Sequence, residues 1–250
     1  MTAVRPAGAA SPRWLLPAGP PPPRWDPAGG TALWLVCVPE HDAARGAGAS
    51  YGLLDAGERR RAAAFVRDVD RRRYRVAHVA LRRLLGGYLG RDAATVVLRR
   101  EPCPGCGGPH GRPAVPGTPP PLHFSLSHAG DLVLIAVAAV PVGADVEALP
   151  SASTAADVAA ALHPGERAEL AALPAADRPA GFARCWTRKE AYLKGTGTGL
   201  AEDPSVTYVG AGPEPARLPH WDLADVPVPA GYAAACAVRR TGGAAAGPGA

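Results

Sequence analysis

Apolar and polar positions fall into blocks along the chain, and the period changes from block to block. Leu33 to Val38 is an unbroken apolar run of strand length. From about 56 to 89 the apolar positions Phe65, Val69, Val76, Val79, Leu84 and Leu85 recur at helical spacing. Asp55 with Glu58 three residues on is a capping-box pattern that opens this region, and a break is expected near Asp68–Asp70. Thr95 to Leu98 reads as a short strand. Leu122 to Leu126 and Leu132 to Ala139 read as two more, joined by the turn Ala129-Gly130-Asp131, and Val142 to Glu147 as another. Helices are expected over 154–162 and over 164–173, the second with Pro in its first turn. A longer helix is expected over 178–194, capped by Asp177 and ended by Gly195. Val206 to Val209 and Tyr232 to Arg239 finish as strands. Both halves mix strands and helices without the alternation of a doubly wound sheet. The fold class is therefore α+β, with a seam near residue 140.

Glycine and proline mark the boundaries. Residues 1–30, with the run Pro20 to Pro23, read as a flexible leader, residues 102–121 as a Pro/Gly loop and residues 241–250 as a disordered tail. Between them stand an N-terminal α+β subdomain over 31–140 and a C-terminal one over 141–240.

Composition narrows the classes. The 250 residues are 47% apolar and 20% charged, a globular balance. No apolar run is long enough to span a bilayer, and prolines interrupt any signal-peptide core after Arg13. Five scattered cysteines are not a disulfide framework, so the reading is cytoplasmic. A net charge of +5 favours an anionic partner and leaves nucleic acid, a phosphorylated cofactor and an acidic protein open. The basic residues are 25 arginines and two lysines, Lys189 and Lys194, and Asn and Gln are absent. This bias fits a GC-rich coding sequence that turns Lys into Arg, so two retained lysines ask for a reason.

Candidate chemistry starts with Asp145 and Glu147. Two apart on a strand, they face one side, with Val146 facing the core. Such a pair repels itself unless a cation sits between, and Mg²⁺ suits oxygen ligands; a solvent-facing pair at a strand end is the alternative. On the next long helix Trp186, Glu190 and Lys194 share one face. Glu190 and Lys194 make either an exposed ion pair or a site in which Lys194 is a compact charge for phosphate, a task that Arg does not duplicate. Ser127 and His128 end a strand. Neighbours on an extended chain point apart, so hydrogen bonds to phosphate or plain turn chemistry suit them better than a nucleophilic relay. Arg112, between Gly111 and Pro113, is a further cation for phosphate. Ten arginines between Arg59 and Arg83 occupy several helix faces and read mostly as solvated; gripping nucleic acid would need one basic face. Cys103-Pro-Gly-Cys106 with His110 offers three zinc ligands, and no fourth is evident nearby.

The order of motifs resembles one family. Phe124 to His128, then Gly143 to Glu147, then Trp186 to Leu200 (W-T-x-K-E-A-x-x-K-x-x-G-x-G-L) are similar to the 4′-phosphopantetheinyl transferases. The likeness is to their larger monomeric type, typified by the surfactin-synthetase activating enzyme, and Gly111-Arg112-Pro113 resembles a further family element. The resemblance implies a pseudo-twofold pair of similar α+β subdomains, with coenzyme A and Mg²⁺ in the cleft between them. It implies Asp145, Glu147 and Glu190 as metal ligands, Glu190 as general base and Lys194 at the pyrophosphate. Ser127 and His128 match phosphate contacts, and Arg61 and Arg112 match basic positions near the 3′-phosphate. Ser125, Ala129 and Ala144 depart from the family's usual residues and remove no ligand. The implied activity is a cytoplasmic holo-carrier-protein synthase, a monomer acting on an apo acyl or peptidyl carrier protein without nucleic acid or membrane. The rival is a basic nucleic-acid-binding module with structural carboxylates.

Overall fold

The computed structural model describes residues 11–20, 22–44, 51–118 and 120–241. Two sheets stack face to face, and each carries one long helix on its outer side. The first sheet has the order β1 (Arg13–Trp14), β2 (Ala32–Cys37), β6 (Leu132–Ala138), β5 (His123–Ala129), β4 (Pro113–Ala114), β3 (Arg99–Arg100). The second has the order β7 (Val142–Ala148), β9 (Tyr232–Arg239), β8 (Trp221–Asp225). Only the β1–β2 pair is parallel. The helices are α1 (Val38–Ala43), α2 (Ala56–Ala63), α3 (Asp68–Leu89), α4 (Ala152–Ala159), α5 (Pro164–Ala172) and α6 (Arg178–Thr196).

Strand parity explains the layering. Trp34, Val36, Val133, Ile135 and Val137 pack under α3 with Val76, Ala80, Leu84 and Leu85. Their alternates Leu33, Leu35, Leu132, Leu134 and Ala136 pack on Ala144, Val146, Ala234 and Cys236 of the second sheet. Ala235 and Ala237, on the far side of β9, meet Phe182, Cys185 and Ala191 of α6. Strand β6 lies between two apolar layers, which is why its sequence is apolar without alternation.

The expected elements meet the structure with several differences. Asp55 does form a reciprocal capping box with Glu58, and the long helical region breaks at residues 64–67, just before Asp68. Asp177 makes no capping bond, and α6 runs through Gly195 to a left-handed Gly197 at φ 85°. Gly195 is instead a contact point: a Cβ there would stand 2.7 Å from the Trp221 ring. The segment 206–209 is not a strand. Side chains replace the ladder, with Glu166 accepting from Val209 N and Lys189 donating to Thr207 O. Residues 93–95 form a 3₁₀ turn capped by Asp92, and pairing starts only at Arg99. Trp221–Asp225, unassigned from sequence, is the outer strand of the second sheet.

Residues 11–20 and 22–30 do not behave as a free leader. Leu15 is buried, Trp25 meets Tyr88 edge-on, and Arg83 donates to the carbonyls of Pro17 and Gly19. The first ten residues, and the expected tail beyond Thr241, lie outside the described residues.

Candidate functional site

The site lies where the second sheet meets α6 and the first sheet comes close. Strand β7 and helix α6 approach backbone to backbone at Gly143, where a Cβ would stand 1.9 Å from Ala191 O and 2.4 Å from Gly195 N. Asp145 and Glu147 follow Gly143 on the same side of the strand, opposite the helix face that carries Glu190 and Lys194. Strand β5 of the first sheet closes the gap. Ser125 Oγ accepts from Ala144 N at 3.0 Å, and Ser127 Oγ donates to Asp145 Oδ1 at 2.6 Å.

A cleft of about 760 Å³ opens over this junction. It is lined by every residue to which the family resemblance gave a role: Arg61, Arg112, Ser127, His128, Asp145, Glu147, Glu190 and Lys194. Trp186 lines it too, from the helix face that spacing had grouped with Glu190 and Lys194. The cleft also collects Tyr74, His78 and Arg100, which the sequence reading left unassigned. A signal for the first two existed: Tyr74, His78 and Arg82 recur every fourth residue on α3. Tyr74 and His78 stack at 4.0 Å, and His78 Nδ1 meets Glu58 Oε1 at 2.9 Å.

The electrostatics are uneven. Asp145 is buried; its Oδ1 accepts from Lys194 Nζ at 2.5 Å, and its Oδ2 is buried with no hydrogen-bond partner. Burial, with the charges of Asp145 and Glu190 beside it, pushes the Glu147 carboxyl up to about 7 against the pull of Lys194. Burial also pushes Glu190 above the usual carboxylate range, opposed by Lys194 and helped by Asp145. Dense protein around His128, then the charges of Arg73, His78 and Lys194, hold that imidazole below the usual histidine range. Three carboxylates crowded with one ammonium form a site short of positive charge, and Asp145 Oδ2 is a buried oxygen that no protein donor satisfies. The donors are hard oxygens, which fit Mg²⁺. The ligand atoms of these three carboxylates do not all lie within 4.8 Å of one another, so gathering them on one ion takes side-chain movement. Among the described residues, one trio of ligand type brings its ligand atoms within 4.8 Å: Cys103, Cys106 and His110.

Arg112 is already anchored: it pairs with Glu101 through Nε and Nη2 and donates through Nη1 to Gly195 O at 2.7 Å. Three of its five N–H donors are so engaged, and the rest remain for a ligand. Lys189, the other retained lysine, is nowhere near this cleft. It is buried, 2.9 Å from the equally buried Glu166.

The arginine-rich region is mostly occupied internally. Arg82 is buried between Glu58 and Asp55, Arg71 and Arg73 pair with Asp68 and Asp70, and Arg72 pairs with Asp42. Arg59 and Arg83 bond backbone carbonyls, and Arg75 lies over Tyr51. Arg60, Arg61 and Arg67 stay exposed beside them.

Known proteins point the same way. Residues 141–234 match the 4′-phosphopantetheinyl transferase superfamily. The chain is 34% identical over 180 residues to 4′-phosphopantetheinyl transferase HetI of Nostoc sp., an overlap of 69% of this chain and 73% of that one. A 4′-phosphopantetheinyl transferase of Bacillus subtilis is 32% identical over 154 residues, 59% of this chain and 67% of the relative. Psf-1, a 4′-phosphopantetheinyl transferase of Bacillus pumilus, is 31% identical over 136 residues, 53% of each.

Proposed function

Because the chain belongs to the 4′-phosphopantetheinyl transferase superfamily, we propose that it moves the 4′-phosphopantetheine group of coenzyme A onto a serine hydroxyl of an apo acyl or peptidyl carrier protein, requiring Mg²⁺ and releasing 3′,5′-ADP. The observation that carries this reading is the gathering of Asp145, Glu147, Glu190 and Lys194 in one cleft, with Asp145 Oδ2 buried and unpartnered.

Asp145, Glu147 and Glu190 would hold the ion, and when bound it would neutralise charge at the pyrophosphate. The chain's own residues then have separable tasks. Glu190 takes the proton of the carrier serine. Its raised affinity for protons brings it nearer the operating pH, where a general base works best. Lys194 sets a point charge toward the pyrophosphate, and Ser127 and His128 add hydrogen bonds to phosphate oxygens. Arg112, fixed in direction by Glu101 and Gly195 O, and Arg61, which lines the same cleft, meet the 3′-phosphate. The attacking hydroxyl belongs to the partner, so the protein needs position and charge rather than a nucleophile of its own. Carrier proteins that are acidic around their serine suit a client with net charge +5. Five cysteines without a disulfide suit the reducing cytoplasm, and no helix of the described residues is long and apolar enough to cross a membrane.

Incubation with coenzyme A, Mg²⁺ and a panel of apo carriers from polyketide, peptide and fatty-acid synthesis tests the reading. The expected result is a gain of one phosphopantetheine on a carrier, seen by intact-protein mass spectrometry and abolished by a chelator. No gain on any carrier would overturn it.

A further inference from the structure

The loop between β3 and β4 carries a cluster that the transfer chemistry does not use. Cys103 Sγ, Cys106 Sγ and a ring nitrogen of His110 lie within 4.8 Å of one another, and Cys106 Sγ stands 3.0 Å from His110 Nε2. A tetrahedral zinc with ligands at about 2.0–2.3 Å holds its ligand atoms roughly 4 Å apart, so this spacing accommodates the ion with little movement.

The backbone is shaped for convergence. Cys103 N donates to Gly108 O at 2.7 Å and Gly107 N to Cys103 O at 2.8 Å, which folds the C-x2-C segment into a tight knuckle. Gly107 turns the chain at φ 72°, a conformation that residues with a Cβ rarely adopt. A Cβ on Gly108 would crowd His110 Nε2 at 3.1 Å and Cys106 Sγ at 3.3 Å, so the empty space beside Gly108 is what lets the two ligands meet. Cys103 is buried and Cys106 and His110 are exposed, so three protein ligands face a fourth position open to solvent.

We propose that Cys103, Cys106 and His110 bind one zinc ion, and that the ion clips the loop that presents Arg112 to the cleft. The sequence showed no fourth ligand, but sites with three protein ligands and an open position are an ordinary zinc geometry. The clip acts at short range: Gly111 N bonds Glu101 O at 3.0 Å and Glu101 N bonds Arg112 O at 2.8 Å. Fixing residues 103–110 thus fixes the Glu101–Arg112 pair beside Gly195. His110 lines the same cleft as Asp145, Glu147 and Glu190, and soft thiolates against hard carboxylates sort the two metals.

The test uses the full chain, purified under reducing conditions and dialysed with zinc. About one zinc per chain is expected by elemental analysis. Cobalt substitution should give thiolate-to-metal charge-transfer bands and an intense tetrahedral visible spectrum. Cys106→Ser, at an exposed position that the fold does not need, should lose both. Zinc far below one per chain, or cobalt bands that persist in Cys106→Ser, would overturn the proposal. The effect on Arg112 rests on the transferase reading and is measured separately: KM for coenzyme A should rise several-fold in Cys106→Ser with kcat little changed. Metal content is read without turnover, so failure of either reading leaves the other standing.

Discussion

Lys189 and Lys194 sit five positions apart on α6 and answer to different neighbours. Lys189 Nζ is buried between Glu166 and Thr207 O, whereas Lys194 reaches the cleft and holds Asp145 Oδ1. A guanidinium fits neither place, for two reasons: it is too large for the first and too diffuse for the second. Lys194→Arg should leave the thermal midpoint nearly unchanged and lower kcat/KM on the order of tenfold. Lys189→Met strands a buried carboxylate and should cost about 3–5 kcal/mol in denaturant unfolding. Spacing grouped Lys194 with Trp186 and Glu190 by helix geometry alone. It was silent on Lys189, because Glu166 lies 23 residues away on another helix. Glu147 carries a pH signature. Burial keeps a proton on its carboxyl up to about 7 in the fold, while an unfolded glutamate loses it near the ordinary 4.5. Its share of stability is therefore complete below that value and is lost as pH rises through about 7. In the proposed reading Mg²⁺ competes with that proton, so the rise in melting temperature on adding Mg²⁺ should be small at about pH 6 and larger at about pH 8. Differential scanning calorimetry at both values checks the sign.

At the scale of elements, the contact of β7 with α6 sets the site. Both elements were legible in the sequence, since one is a short apolar strand after a turn and the other a helix with periodic apolar positions. Their closeness was not, because it depends on two glycines 52 residues apart, Gly143 and Gly195, meeting across the fold. Gly143→Ala puts a methyl into Ala191 O and Gly195 N, backbone atoms that cannot rotate away. It should cost about 3 kcal/mol or more by chemical denaturation and lower carrier loading with it. The segment 206–209 misled for the opposite reason. Its apolar residues are real, but its hydrogen-bond partners are Lys189 and Glu166 rather than a strand, and alternation cannot tell the two apart.

At the scale of the molecule, two stacked sheets are stitched by two serines of β5. Ser125 joins the strands at Ala144, and Ser127 joins them at Asp145. Ser125→Ala leaves the buried Ala144 N–H without its acceptor and should cost about 1–3 kcal/mol, read as a lower denaturation midpoint. From sequence, Ser125 was merely a departure that removed no ligand, since its partner 19 residues on belongs to the other sheet. Asp145 is the junction of this seam: one oxygen is held by Ser127 and Lys194, and the other has no partner. A carboxylate shared in this way makes two ligands thermodynamically interdependent. In the proposed reading, an anionic diphosphate that draws Lys194 away lifts a positive charge from beside a metal ligand, so each ligand raises the other's affinity by the same factor. Calorimetric titration of Mg²⁺ should show weak binding to the protein alone and at least tenfold tighter binding with coenzyme A present. 3′,5′-ADP, which has no diphosphate to attract Lys194, should give no such enhancement.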